Sequence, residues 1–198
     1  MVRSARYRGE DMLAAATRLA AAGGPEAVTI SAISRATGAP VGSIYHRFES
    51  RNHLVAEAWL STMEGFQVGY LEALETQPDV RSGLRAALHI PSWVRQHPAA
   101  ARILLVHRRE DFLGPDQAPA VAERARDLNA GVALRIAAFA LSVLGSDGAE
   151  AIDRAWYALA SAPTGAVQRF IAAGLRPPDL VDDLVRETYA AVIAAVRP

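Results

Sequence analysis

Ser43, Tyr45, His46 and Arg47, interrupted only by Ile44, are the residues of this 198-residue chain whose types and spacing most suggest recognition chemistry. A tyrosine hydroxyl can reach a phosphate, a serine either a phosphate or a base edge, and an arginine can fork onto guanine. Ile44 and Phe48 stand four apart, so the short helix that carries these groups has one side to bury while the other faces outward. Catalytic chemistry finds little support. The chain has no cysteine, which excludes thiol nucleophiles, disulfides and Cys-based zinc sites. No HExxH, GxSxG, Walker or dinucleotide fingerprint occurs, and a serine nucleophile would lack a recognisable base partner. The chain is therefore expected not to be an enzyme.

The histidines allow two readings. His89 and His97 lie eight apart with Trp93 between them, and His107 follows on the next helix. No carboxylate accompanies them at ligand spacing, so they read better as walls of an organic-ligand pocket than as a metal site, and neither metal nor cofactor is expected. Phe66, Tyr70, Trp93, His107 and Tyr157 are the candidate pocket residues, with plain core packing as the alternative for each.

The elements that must position these groups are helices throughout, because Ala, Leu, Arg and Glu dominate and alternating strand patterns are rare. A first helix over residues 8–22 stops at Gly23, Gly24 and Pro25. Thr29 can cap a second, whose apolar face is Ile33 and Ala36 and which ends at Gly38. Residues 41–48 form a third, and Ser50 caps a long fourth reaching toward Thr76. Breaks at Pro78, at His97 and Pro98, at 114–119 and at the GSDG turn of 145–148 divide the remainder, giving about nine helices. Pro91 should bend the fifth, and a kink is expected around Pro163 and Gly165. The fold class is all-α. Its N-terminal part, residues 1–52, is a three-helix helix-turn-helix unit, and residues 53–198 form a helical bundle.

Residues 29–54, TISAISRATGAPVGSIYHRFESRNHL, resemble the DNA-binding signature of the TetR family of transcriptional repressors. The resemblance rests on Thr29, Ile33, Ala36, Gly38, Gly42, Ile44, Tyr45, Phe48, Ser50 and Leu54 in order and without gaps. It implies that Thr29 and Ser31 meet phosphate or base and that Val41, Gly42, Ser43, Tyr45, His46 and Arg47 line the groove. It also implies that Arg51 holds a phosphate. Family members often carry Lys at the positions of Val41 and Arg51; Arg51 keeps the charge, whereas Val41 can only pack against a thymine methyl or sugar. For residues 53–198 the resemblance implies binding of a small molecule and dimerisation.

Charge is placed consistently with this. Seven arginines face four acids in residues 1–55, against fourteen and seventeen in the remainder, so a basic quarter is joined to an acidic body of zero overall net charge. Arg3, Arg6 and Arg8 form either a minor-groove arm or simply a basic terminus. No run of about 18 apolar residues and no secretory segment is read from the sequence, so a cytoplasmic protein without membrane contact is expected. Residues 149–162 and 180–196 are the expected dimer helices. The expected function is a homodimeric, ligand-responsive repressor that recognises a palindromic operator on double-stranded DNA. The alternative is a helical small-molecule- or partner-binding protein whose helix-turn-helix no longer engages DNA.

Overall fold

Local signals set most helix ends. The computed structural model describes residues 7–115 and 117–194, and all of its regular structure there is helical. Helix α1 (Gly9–Gly23) ends where Gly24 takes φ 74°, and a short 3₁₀ turn (Pro25–Ala27) follows. Helix α2 (Ile30–Thr37) starts where the Thr29 side chain accepts from the Ala32 amide at 3.1 Å and stops at Gly38 in the left-handed conformation. Helix α3 (Val41–Tyr45) is shorter than the expected residues 41–48. Beyond Tyr45 the Ile44 carbonyl accepts from both Arg47 and Phe48, which tightens the last turn and tucks the Phe48 ring into the core. Helix α4 (Arg51–Leu74) begins at Ser50, whose hydroxyl accepts from the His53 amide at 3.0 Å.

The bundle adds α5 (Val80–Gln96), capped reciprocally by Asp79 and Ser82, and α6 (Pro98–Leu105). Next come the single turn α7 (Arg109–Phe112), which the sequence did not suggest, and α8 (Pro119–Leu144). Helices α9 (Ala149–Trp156) and α10 (Ala162–Ala172) run into each other through a π turn, Tyr157–Ser161, and α11 (Leu180–Ala194) closes the order. Counting α9 and α10 as one, the described residues make ten helices. The expected break near Pro163 is thus a π turn. Proline has no N–H to give the carbonyl four residues back, Leu159, and that carbonyl instead accepts from the Tyr70 hydroxyl at 3.3 Å.

Two apolar clusters fill the interior. One joins α1, α2, α3 and α4 as far as Leu60 with Ile103, Phe112, Val121 and Ala125; the other joins the end of α4 to α5 and to α8 through α11. The start of α4 thus packs in the first cluster with α1, α2 and α3. Ala36, expected on the buried face of α2, is exposed, and Ile33 alone is fully buried there.

By length and composition α8 is apolar enough to cross a membrane, although Arg135 interrupts its apolar stretch. It packs along α4 and α9 instead, and Arg124 in its second turn forks onto Glu64 at 2.5 and 2.6 Å and onto Glu57 at 2.8 Å. No local spacing pointed to this ion-pair network, whose members are 60 and 67 residues apart.

Candidate functional site

The first candidate site is the outer face of α3. Pro40 sets an extended approach, and the turn before it is locked by side chains. The Ser34 hydroxyl donates to the Ala39 carbonyl at 2.8 Å, and the Thr37 hydroxyl accepts from the Ala39 amide at 3.2 Å. Ile44 and Phe48 are pinned in the core, so the rest of α3 must turn outward. Val41 is 47% exposed and Tyr45 50%, while Gly42 and His46 are exposed and Ser43 is half-buried. A side chain at Gly42 would meet nothing within 4 Å, so packing inside the chain does not require glycine there. Thr29 and Ser31 are exposed at the neighbouring start of α2.

Two expected contact residues are partly engaged within the chain. Arg47 lies half-buried with Nη1 3.4 Å from the Ser43 carbonyl, its stem against Gly9 at the start of α1. Arg51 donates from Nε to the Val28 carbonyl at 2.8 Å and from Nη2 to the Pro25 carbonyl at 2.5 Å. It also reaches Glu26 at 3.3 Å and the Asn52 side chain at 3.2 Å. Its fork thus fastens the 3₁₀ turn between α1 and α2 to the first turn of α4. Arg3 and Arg6 lie outside the described residues, and Arg8 pairs with Glu10 at 2.7 Å.

The second candidate site is a cavity of about 370 Å³ inside the bundle. Helix α4 gives it Met63, Phe66, Gln67 and Tyr70, α5 gives Ile90, and α8 gives Asn129, Val132 and Ala133. Trp156, Ala160 and Thr164 close it from α9, the π turn and α10. None of these side chains is charged; Gln67, Tyr70, Asn129 and Thr164 are its polar groups. Burial pushes the Tyr70 phenol well above its ordinary range, so it stays a neutral donor.

Of the five expected pocket residues, Phe66 and Tyr70 line this cavity, stacked at 5.6 Å. Trp93 stands behind them, edge-on to Phe66 at 5.2 Å, and supports the wall without forming it. His107 is elsewhere, beside Gly24 and Phe112, and Tyr157 is 51% exposed on the outer surface. Neither lines this cavity. His107 follows α6, which leads away toward the N-terminal core, and the helical path turns Trp156 inward, so its neighbour Tyr157 faces out. Spacing along α4 could have added Met63 and Gln67, three residues before Phe66 and Tyr70 respectively; Asn129, Ala160 and Thr164 had no comparable signal.

Burial holds His89 below its ordinary imidazole value. Nearby His97 acts in the same direction, and a backbone hydrogen bond at Phe66 and the charge of Glu72 oppose it. Among the described residues no three His, Asp or Glu side chains gather as metal ligands.

Residues 12–58 match the sequence model of bacterial regulatory proteins, tetR family. No curated protein matches the chain in sequence. Solved structures match its fold along nearly its whole length. A transcriptional regulator from Rhodococcus sp. Rha1 is 19% identical, with 96% of this chain and 99% of that one covered at a TM-score of 0.71. The transcriptional regulator FadR from Bacillus subtilis, solved in complex with stearoyl-CoA, is 12% identical, with 96% and 100% covered at 0.72. A protein from Shewanella sp. PV-4 assigned to the tetR family of transcription regulators is 14% identical, with 96% and 98% covered at 0.70.

Proposed function

On the premise that this chain belongs, through residues 12–58, to the TetR family of bacterial regulatory proteins, we propose that it is a homodimeric repressor whose hold on a palindromic DNA operator responds to a small molecule. The observation that carries this is α3 itself. Its apolar side is buried in a locked three-helix unit, while Val41, Gly42, Ser43, Tyr45 and His46 turn outward on a helix short enough to enter a major groove end-on. Tyr45, Thr29 and Ser31 contact phosphate, Ser43 and His46 read base edges, and Val41 packs on a thymine methyl. The bare Gly42 lets the DNA backbone or a base approach closely. Arg47 reaches the groove by leaving the Ser43 carbonyl, and Arg51 acts chiefly by positioning the start of α2.

One such helix buries too little surface for specific binding, and two of them about 34–36 Å apart would read a palindrome from successive major grooves. Pairing fits the exposed apolar stripe on α8, where Leu134 is 73% and Leu141 55% exposed, beside exposed Tyr157 on the adjoining helical stretch. The sequence pointed to residues 149–162, which carry Tyr157, and to residues 180–196, most of which form α11. That helix turns Val181, Val185 and Tyr189 into its own core and leaves Leu180 and Leu184 outside. A Leu134→Glu, Leu141→Glu double substitution is expected to turn a dimer into a monomer in sedimentation and to weaken operator binding.

The effector of this reading is a largely apolar, uncharged molecule held in the cavity, whose volume of about 370 Å³ lies in the range of about 300–1,000 Å³ usual for small-molecule sites. The FadR structure, solved with stearoyl-CoA, supports a ligand site in this fold. The cavity lies between α4 and α8 just beyond the Arg124 clamp on Glu57 and Glu64. A ligand that parts these helices moves the start of α4, and with it α3. It needs only to favour the DNA-free arrangement by about 1–3 kcal/mol.

The deciding experiment is selection of random and genomic DNA by the purified protein at two salt concentrations. An enriched palindrome whose retention falls with salt is expected. No enrichment at either concentration, with or without added effector candidates, would sink the repressor reading and leave a helical binding protein. The setting of such a repressor is the cytoplasm, where the DNA is.

A further inference from the structure

A second cleft, of about 310 Å³, is bounded by α5, α6, the end of α10 and the segment after it. Val94, Ile171 and Leu175 give it apolar walls, but unlike the central cavity it carries three arginines, Arg95, Arg102 and Arg176. Arg95 is the most constrained. Its side chain is only 10% exposed, and Nη2 is held by both oxygens of Asp182 at 2.7 and 2.8 Å. Its Nη1 is buried with no acceptor among the described residues and is closed off from solvent, so Arg95 gives the cleft charge rather than a free donor.

Arg102 donates from Nε to the Ala21 carbonyl and from Nη1 to the Ile171 carbonyl, both at 2.9 Å, which leaves its Nη2 without an acceptor among the described residues. Asp182 balances one of the three cations. Neither Arg102 nor Arg176 forms an ion pair among the described residues, so the cleft holds an excess of positive charge over an apolar floor.

We propose that this cleft binds a small amphipathic organic anion, a carboxylate on an apolar chain, with the carboxylate on Arg102 and Arg176 beside the Arg95–Asp182 pair and the chain on Val94, Ile171 and Leu175. A planar carboxylate matches the arginine fork, and charge-assisted bonds in a partly desolvated cleft are the strong kind. The central cavity, with no charged lining residue, cannot make this distinction. The site is also placed to be felt elsewhere. Arg102 ties the last turn of α1, in the N-terminal core, to the last turn of α10, so an anion that draws on its guanidinium loosens that tie. This coupling to operator affinity rests on the DNA-binding reading above; occupancy of the cleft does not.

The test is calorimetric titration of octanoate, and of octanol as its uncharged counterpart, into the full chain. Octanoate is expected to bind at least about tenfold more tightly than octanol, and an Arg102→Gln, Arg176→Gln double substitution to weaken octanoate by about tenfold or more while leaving octanol unchanged. Equal affinities for the two ligands, or octanoate binding unaltered in the double variant, would overturn the proposal. If that variant fails to fold through loss of the Arg102 bridge, the exposed Arg176→Glu gives the same reading. A clear weakening of octanoate alone supports the site, and unchanged binding overturns it. These titrations need no DNA, so a failure here is separate from a failure of the repressor reading.

Discussion

The N-terminal unit and the helical bundle are both all-helical, yet they are held together differently. In residues 29–54 nearly every decisive contact is local: Thr29 caps α2 three residues on, Gly38 ends it, Thr37 meets Ala39, and Ser50 caps α4. In the bundle the decisive contacts cross long stretches of chain. Tyr70 meets Leu159, Arg124 meets Glu57 and Glu64, and the Tyr189 hydroxyl donates to the Val80 carbonyl. Gly83 is glycine because a Cβ there would stand 2.3 Å from Phe139 and from the Tyr189 hydroxyl. The recognition surface is thus a local device, and the cavity a product of tertiary packing.

Removing the bundle's central ring tests that contrast most severely. Phe139 is wholly buried between α5 and α11, and Phe139→Ala is expected to cost about 3–5 kcal/mol in denaturant unfolding. A loss below about 1 kcal/mol would mean that the bundle does not depend on this long-range contact.

Arg51 sits between the two regimes, since its fork closes a loop of 23 to 26 residues onto three acceptors. Arg51→Ala is expected to lower stability by about 1–3 kcal/mol, because the part-buried Val28 carbonyl loses its donor and the Pro25 carbonyl keeps only the Val28 amide, with little change in the salt dependence of DNA binding. A salt slope that falls by about one with stability intact would instead assign Arg51 to a phosphate.

Tyr45 belongs wholly to the local surface. Tyr45→Ala should leave stability within about 0.5 kcal/mol yet weaken operator binding about tenfold, worth about 1.4 kcal/mol. Unchanged DNA affinity would remove Tyr45 from the interface.

The smallest effect is a pH dependence. The folded state holds His89 below its ordinary value, so in mild acid the unfolded chain takes up the proton first. The contribution is whole above about pH 6.5, the ordinary imidazole value, and is lost as pH falls through the window below it. Thermal melts from pH 7.5 down to pH 5.5 should show a fall in Tm that His89→Gln flattens. Equal slopes in both proteins would show that His89 stays solvated.

Much of the first region could be read from residues alone. The caps, the stop at Gly38 and the pairing of Ile44 with Phe48 act within a few residues, and α3 exposes the side that the apolar spacing implied. Even there, Ala36 faces out and Arg47 and Arg51 fold back, because a long side chain's partner is chosen by whatever lies within its reach. In the bundle, Phe66 and Tyr70, four apart on α4, line the cavity. His107 and Tyr157 do not, since one lies on a different path through the fold and the other one step around a helix from Trp156.

The sequence by itself determined an all-helical chain with a helix-turn-helix start, because capping, helix propensity and apolar period act over one or two turns. Only the tertiary structure decided which aromatic residues meet around the cavity, that α8 keeps an apolar stripe exposed, and that three arginines from different segments share one cleft. Those outcomes depend on how helices distant in sequence cross, and no local spacing encodes that crossing.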